Sequence, residues 1–384
     1  MAFIETDEQQ LLRQSVRQIA DKYGHKYFIE KAIANQRQNE LWEELGSMGY
    51  LGVNLPEEYG GGGMGLTELA IVQEEVSAAG CPLLMIVVSP AIVGPILAKF
   101  GSPEQKERWL KPVAEGKKKM AFAITEPDAG SNSHNISVTA KKDGDVYRLN
   151  GTKYYISGVD EAEAILVVTR TGIDEKTQKG QLSLFMVDVD SPGLEKHVLP
   201  VEIKAPEKQF TLFFDNVEVP KNCLIGEEGH GLKQVFTGLN PERILVAALA
   251  VGAGRYALDK ACDYARNRQV WGSPIGAHQG LAHPLAIAKV NLEMAALMNK
   301  KAAWQFDNGI DASEAANMAK YAAAEAAIAA LDQAMQTHGG NGMSSEYGLA
   351  DFWGTVRLMR TAPISKEMIL NFVAQHSLGL PKSY

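Results

Sequence analysis

Cysteine is scarce in this chain, its histidines follow no ligand spacing, basic clusters are nearly absent and no apolar run is long. Each shortage removes a class of function. The three cysteines, Cys81, Cys223 and Cys262, lie far apart and form no CxxC, so neither a disulfide frame nor a thiol redox motif is expected. The eight histidines show no HExxH or HxH spacing, and no metal site is expected. "KKKM" at 117–120 is the one short basic run, read as a solvated surface turn. With a formal charge of −8, nucleic acid is not an expected partner, since phosphate binding needs clustered Lys and Arg. The N-terminal "MAFIETDEQQ" has neither a basic n-region nor an apolar h-region. The longest apolar stretch, Ile244 to Gly254, is about half of the ~20 residues that a membrane span requires. These absences lead to the expectation of a cytoplasmic protein with no membrane span.

What remains is ordinary globular composition over 384 residues, 46% hydrophobic and 22% charged, enough for two or three domains. The first third reads as helical. Thr6 and Gln9 can form a capping box, and Leu11, Leu12, Val16, Ile19, Ala20 and Tyr23 recur at helical spacing. Further helical patterns cover roughly 38–50, 66–80, 91–100 and 103–115. Near residue 120 the period changes. "DVYRLNGTKYYIS" places strand-like runs on both sides of Asn150-Gly151, a hairpin signal. The runs 164–171, 182–190 and 210–220 follow with no helix between them, which predicts an antiparallel β domain. After about residue 230 the helical period returns: Pro284 is expected to open one helix, and the Ala-rich stretch from 312 has strong helix propensity. The segment 244–254 is apolar all round and should be buried. The expected architecture is α+β: an N-terminal helical domain (1–119), a middle β domain (120–226) and a C-terminal helical bundle (227–384).

"GGGGMG" at 60–65 satisfies GxGxxG through Gly60, Gly62 and Gly65. A dinucleotide fingerprint needs a strand before it and a βαβ unit around it, and Pro56 and two glutamates precede these glycines instead. A tight loop between helices is the expectation.

Three other stretches carry candidate chemistry. "FAITEPDAGSN" (122–132) ends an apolar strand in a turn with a hydroxyl, a carboxylate and a Gly-Ser pair that could hydrogen-bond a heteroaromatic ring. "RNRQVWGSPIGAHQ" (266–279) sets arginines beside an aromatic, and a guanidinium suits the oxygens of a pyrophosphate. "QTHGGNGM" (336–343) is a Gly-rich helix end that lets backbone approach a ligand. Singly, each is also explained as a capped turn, a surface arginine pair or a helix C-cap.

In their joint order, these stretches together with "PEEYGG" (56–61), "LNGTKYYIS" (149–157) and "ERILVAA" (242–248) resemble the acyl-CoA dehydrogenase family of flavoproteins over nearly the whole chain. The resemblance implies a middle β-barrel, a C-terminal four-helix bundle, a homotetramer built as a dimer of dimers, and FAD between the β domain and the bundle. By motif, Phe122, Ile124, Thr125, Tyr155 and Ser157 would flank the flavin, with Gly130 and Ser131 near its phosphates and the substrate. Arg268, Trp271, Gln279, Gln336 and Gly340 would reach the FAD of a neighbouring subunit. Such enzymes desaturate the Cα–Cβ bond of an acyl-CoA thioester and pass electrons to an electron-transfer flavoprotein.

The chain departs from many members at the base. A "YEGT"-like stretch usually supplies a glutamate near the C-terminus. Here "TAPISKEM" (361–368) puts Pro363 at that position, with Ser365 and Glu367 falling at flavin contacts. A second branch, the isovaleryl- and long-chain-like enzymes, carries its base in a stretch like "ERxxxA", and Glu242 falls there. A thioester α-proton is weakly acidic, so a carboxylate must lie within reach of Cα. By the same analogy the β-hydride goes to flavin N5, and Asn240 and Arg243 line the substrate side. Asn240 and Pro241 read as N-cap and N1 of a helix, whose N-terminus would lower the Glu242 pKa while burial raises it. Asp128 and Asn132 stand where many relatives have Gly and Asp, and Tyr155 where tryptophan is common. Two other readings remain at this point: a relative with oxidase, reductase or elimination chemistry, and a non-catalytic helical protein that keeps the fold.

Overall fold

The computed structural model describes residues 4–176 and 179–382. Seven helices come first: α1 (Asp7–Ala20), α2 (Gly24–Ile33), α3 (Asn39–Ser47), α4 (Leu66–Ala78), α5 (Leu84–Ile86), α6 (Gly94–Phe100) and α7 (Pro103–Ala114). A π-helical segment, Val87–Val93, joins α5 to α6. The Thr6–Gln9 capping box forms, with both reciprocal bonds at 3.2 Å. On α1 the apolar stripe buries Val16, Ile19 and Ala20, while Leu11 faces solvent.

The first turn of α4 is capped from far away. Asp307 accepts hydrogen bonds from the N–H groups of Leu66 (2.7 Å) and Thr67 (3.0 Å) and from the Thr67 hydroxyl (2.6 Å). The glycines at 60–65 form the tight loop before α4, with no strand leading into them. A Cβ on Gly61 would meet the Leu55 carbonyl oxygen at 2.2 Å, so that glycine serves close backbone packing.

Eight strands follow: β1 (Met120–Ala123), β2 (Thr139–Asp143), β3 (Val146–Ser157), β4 (Ala164–Ile173), β5 (Gly180–Asp188), β6 (Leu194–Leu199), β7 (Gln209–Pro220) and β8 (Leu224–Ile225). The order is β6-β7-β3-β2-β4-β5-β8, with β1 on β4. The expectation of a purely antiparallel domain is corrected: β1 runs parallel to β4, and β2 bridges β4 in parallel at Thr139–Arg170. The sheet curls around a core of its own, where Tyr147, Leu149, Ile165, Phe185, Leu212 and Phe214 meet. Its other face, through Phe122, Leu166 and Leu184, packs into the helical core.

The hairpin expected at Asn150-Gly151 lies elsewhere. β3 continues through both residues, and the ladder to β7 slips there between Leu149 and Gly151. Gly151 takes φ +132°, a region that favours glycine, and the Asn216 backbone N–H donates to Asn150 Oδ1 at 2.9 Å. The reversal comes at Gly144 (φ +63°), between β2 and β3. The basic run at 117–120 is also only partly solvated: Lys119 is buried, its ammonium 2.5 Å from Glu161 and 4.9 Å from the Trp42 ring centroid.

The C-terminal third holds α8 (Gly231–Asn267), a small hairpin of β9 (Gln269–Val270) and β10 (Ser273–Pro274), α9 (Gln279–Asp307), α10 (Ser313–His338), α11 (Trp353–Leu358) and α12 (Lys366–Phe372). α8, α9 and α10 form the body of the bundle, and α12 with its π-helical extension to Ser377 adds a short fourth member. Two boundaries differ from expectation. α9 begins at Gln279, with Pro284 inside its first turns, and α8 begins at Gly231, with Pro241 in its interior. Pro241 therefore offers no N–H to the Thr237 carbonyl, a local cost that the packing of the surrounding helix overrides. By length and composition alone α8 could cross a membrane, with mean hydropathy 1.2 over its most apolar window, of which 67% is buried in the fold. The apolar run 244–254 is buried throughout, as its pattern requires.

Candidate active site

Glu242 sits on α8 about three turns in from Gly231, not at a helix start. The N-cap and N1 roles expected of Asn240 and Pro241 are therefore incorrect, and the N-terminus of α8 lies about three turns away from Glu242. One turn earlier, Gly238 brings α8 against the π-helical segment and α6: an added Cβ would stand 2.6 Å from the Ile92 carbonyl oxygen and 2.9 Å from Ile96 Cδ1. Glu242 is a half-buried residue. Desolvation raises its pKa to about 7, with Arg243 and then Lys320 pulling in the other direction. Burial wins over both cations, and that answers which of the opposed effects prevails.

Arg243 donates from Nη1 to Asn240 Oδ1 at 2.8 Å, and its Nε is buried without a partner among the described residues. Burial pulls its guanidinium below the usual range, opposed by Glu242. Asn240 in turn donates to the Ser313 hydroxyl at 3.3 Å, tying α8 to the start of α10. Lys320, on α10, is the residue the sequence reading missed. It is buried, and its ammonium donates to the Ile364 carbonyl at 2.5 Å, in the turn that contains Pro363. Desolvation, and then Arg243, bring its pKa down to about 8. A signal was present: Lys320 stands on the same helical stripe as Ala316, Ala323 and Ala327, where a lysine is out of pattern. Ser365 N-caps α12, its hydroxyl accepting from the Met368 N–H at 3.3 Å, and Glu367 is exposed in the first turn of that helix.

The residues read as flavin contacts fall into two groups. Phe122 is buried on β1, and Ile124 and Thr125 follow it. β3 is fastened beside them: the Tyr154 N–H donates to the Thr125 carbonyl (2.9 Å) and the Lys153 ammonium to that of Ile124 (2.9 Å). The Lys153 ammonium also pairs with Glu126 at 2.8 Å, and the same carboxylate accepts from the Ser137 hydroxyl and from the N–H groups of Ser137 and Val138. This buried pair fixes the 124–138 loop. Tyr155 adopts φ +57°, stacks edge-on against Tyr154 and remains 54% exposed. Ser157 donates to the Gln209 side-chain oxygen at 3.0 Å. Gly130 and Ser131 are exposed on the loop, with open space around Gly130.

The second group lies at one end of the bundle. Arg268 and Trp271 occupy the α8–α9 connection, Gln279 opens α9, Gln336 lies in the last turn of α10 and Gly340 just past its end. Tyr264 joins these ends, stacking on His338 at 4.2 Å and accepting from Asn341 at 3.1 Å. Trp271 is 90% exposed at φ +51°, and Arg268 makes no ion pair among the described residues. Among the described residues no hydrogen bond, ion pair or ring contact joins the two groups.

Three family models cover most of the chain: the acyl-CoA dehydrogenase N-terminal domain over residues 6–117, the middle domain over 121–217 and the C-terminal domain over 229–378. The acyl-CoA dehydrogenase FadE12 of Mycobacterium tuberculosis (strain ATCC 25618 / H37Rv) is 55% identical over 100% of this chain and 99% of its own. The short-chain specific acyl-CoA dehydrogenase of Bos taurus mitochondria is 35% identical, over 98% and 90% of the two chains. Among solved structures, a glutaryl-coenzyme A dehydrogenase in complex with glutaryl-CoA superposes with TM-score 0.94 at 31% identity, over 100% of this chain and 98% of that one. A second, PigA with FAD and proline, gives TM-score 0.91 at 26% identity over 99% and 100%. The chain belongs to the acyl-CoA dehydrogenase family, and it is an oxidoreductase of that type.

Proposed function

We propose that the protein is an FAD-dependent dehydrogenase that converts an acyl-CoA to its trans-2-enoyl-CoA, with Glu242 removing the α-proton. The observation that carries this reading is Glu242 itself: a half-buried carboxylate with pKa raised to about 7, flanked by Arg243 and Lys320, while Pro363 fills the alternative base position. A base poised near the working pH combines availability with proton affinity. The proton leaves the thioester Cα for a Glu242 oxygen, whose desolvation gives it the proton affinity to accept it.

The residues present fit FAD. Tyr155 offers an exposed aromatic ring, Arg268 a guanidinium with no ion pair among the described residues, and Gly130 and Gly340 have space beside them that a side chain would fill. FAD, when bound, supplies the acceptor for the β-hydride. Phe122, Ile124, Thr125, Tyr155 and Ser157 would hold its ring system, Ser131 its phosphate side and the substrate, and Ser365 and Glu367 its outer edge. Arg268, Trp271, Gln279, Gln336 and Gly340 would serve the FAD of a neighbouring copy, a reading supported by their separation from the first group. An oligomer also fits α9, which exposes Ile287, Val290, Met294 and Leu297 along one stripe. We place the chain in a homotetramer that hands its electrons to an electron-transfer flavoprotein.

The test is an anaerobic titration of the yellow protein with straight, branched and cyclic acyl-CoAs, followed by flavin absorbance, beside Glu242→Gln. Bleaching in the wild type alone supports the proposal. Equal bleaching in the variant, or none with any thioester in the wild type, overturns it.

A further inference from the structure

We propose that Glu207 is a positioning residue for the dehydrogenation: by capping the helical run Leu84–Phe100 it fixes the spacing between the strands that carry the flavin contacts and the helix that carries the base. This rests on Glu242 as the base and on FAD lying against β1 and β3.

α5, the π-helical segment and α6 follow one another without a break, so Leu84 to Phe100 is one apolar helical run. Its N-cap is Leu83, which has no side-chain oxygen, and the first amide must be met from elsewhere in the chain. Glu207 meets it. The residue lies in the loop between β6 and β7, only 8% exposed, and its Oε1 accepts from the Leu84 N–H at 2.8 Å. Burial, and then Glu161, hold its pKa above the usual carboxylate range, so the carboxyl is kept there at a cost. Closing β6 onto β7 gives no reason to bury it.

The same run touches both sides of the candidate site. On the flavin side, Ser89 exchanges two hydrogen bonds with Met120 of β1, its hydroxyl donating to the carbonyl and accepting from the N–H, each at 2.8 Å. Phe122 follows on that strand. Met85 lies against Gly158, the residue after Ser157: Gly158 takes φ +65°, and an added Cβ would collide with the Met85 sulfur. Gly158 is fastened to the Glu207 loop in turn, its N–H donating to the Lys208 carbonyl at 2.9 Å. With the Ser157 bond to Gln209, residues 207, 208 and 209 in succession hold Leu84, Gly158 and Ser157. On the base side the run packs on α8, where the Ile92 carbonyl faces Gly238. Glu242 follows one turn later on the same face of α8.

The consequence is one of alignment. The α-proton must meet Glu242 while the β-hydride faces the flavin, and a displacement of about 1 Å between the two walls costs roughly a hundredfold in rate. Glu207 takes no part in the chemistry; it acts through Leu84 and the run behind it.

The experiment compares two variants of the full-length protein that separate reach from charge. Glu207→Gln keeps an oxygen at the same distance and removes the charge. Glu207→Asp keeps the charge and draws the oxygen back by one methylene. One readout is hydrogen exchange of the Leu84 amide in the flavin-free protein. The other is the rate of flavin bleaching in a single anaerobic turnover of the holoenzyme, using whichever acyl-CoA of the straight, branched and cyclic panel bleaches the wild type fastest. In Glu207→Asp the Leu84 amide should exchange about tenfold faster. Bleaching at saturation should slow by roughly tenfold to a hundredfold, with the half-saturating concentration unchanged. Glu207→Gln should match the wild type throughout. A folded Glu207→Asp that bleaches at the wild-type rate overturns the proposal, and so does a Glu207→Gln slowed as much as Glu207→Asp, which assigns the effect to charge. If Glu207→Asp does not fold, the wild type and Glu207→Gln decide: a protected Leu84 amide in both supports the cap, and an amide that exchanges freely in either overturns it. Failure of the underlying reading looks different. A wild type bleached by no thioester, or a fully active Glu242→Gln, removes the reaction or its base, and the role of Glu207 with it, whatever the Leu84 amide does.

Discussion

Lys153 and Glu126 form an ion pair at 2.8 Å with both side chains shut away from water, at 0% and 2% exposure. Desolvation draws the Lys153 pKa down to about 8 despite its partner, whereas Glu126 stays below the usual carboxylate range because Lys153 and the Ser137 bonds outweigh its own burial. Removing one partner leaves the other as an uncompensated buried charge, at about 3–5 kcal/mol. Lys153→Met should therefore lower the thermal midpoint strongly. It should also release FAD, because the Ile124 carbonyl loses its anchor. The ratio of flavin to protein absorbance after gel filtration measures this, and a ratio equal to wild type would detach the pair from cofactor binding.

The Glu242 pKa sets both an activity limb and a stability slope. Proton abstraction needs the ionised form, so kcat/KM should fall about tenfold for each unit below pH 7. The stability effect has the opposite sense. The folded pKa lies above the unfolded value of 4.5, so the group favours folding below about pH 4.5, and that benefit is lost as pH rises through 7. Glu242→Gln should thus be more stable than wild type at pH 8, by about 2–3 kcal/mol, and no more stable at pH 4.5. Paired denaturant melts at the two pH values test the sign.

Arg268 makes no ion pair among the described residues, so its charge is available to a phosphate. Arg268→Ala should weaken FAD binding by roughly tenfold to a hundredfold, corresponding to about 1.5–3 kcal/mol for a charged hydrogen bond, without changing the melting of the flavin-free protein. Flavin fluorescence on dilution reports the release. Retention equal to wild type would assign the phosphate to other residues.

Met294 lies at the middle of the exposed stripe on α9. Met294→Glu would set a charge into that face and should shift the protein to smaller species in sedimentation velocity at micromolar concentration. A sedimentation coefficient unchanged from wild type would take α9 out of the interface.

The legible parts of this molecule were those with a repeated period. The order of helices, strands and helices followed from spacing alone, as did burial of 244–254. Single-residue punctuation was less reliable, because tertiary packing overrode it. Pro241 read as a helix start, yet Gly238 and the buried run on either side hold a continuous α8 through it. Asn150-Gly151 read as a turn, while Gly144, six residues before Asn150, had an equal claim and made the reversal. The parallel pairing of β1 with β4 left no local trace, since the crossover between them is long. Within the candidate site, the resemblance pointed to Glu242, but residue spacing left the direction of its pKa open. That direction is set by desolvation, which outweighs the opposing Arg243 and Lys320 and depends on the tertiary packing around α8.

The carboxylate that caps α4 belongs to Asp307, and it is synthesised 241 residues after Leu66. While the ribosome is still making the middle domain, the Leu66 and Thr67 amide groups lack the carboxylate that receives them in the folded chain. The N-terminal third therefore leaves the tunnel unfinished, and its completion waits for α9. Any chain stopped before residue 307 carries an open helix end, so premature termination anywhere in the first four-fifths of the message should yield a polypeptide that proteases and chaperones recognise as incomplete.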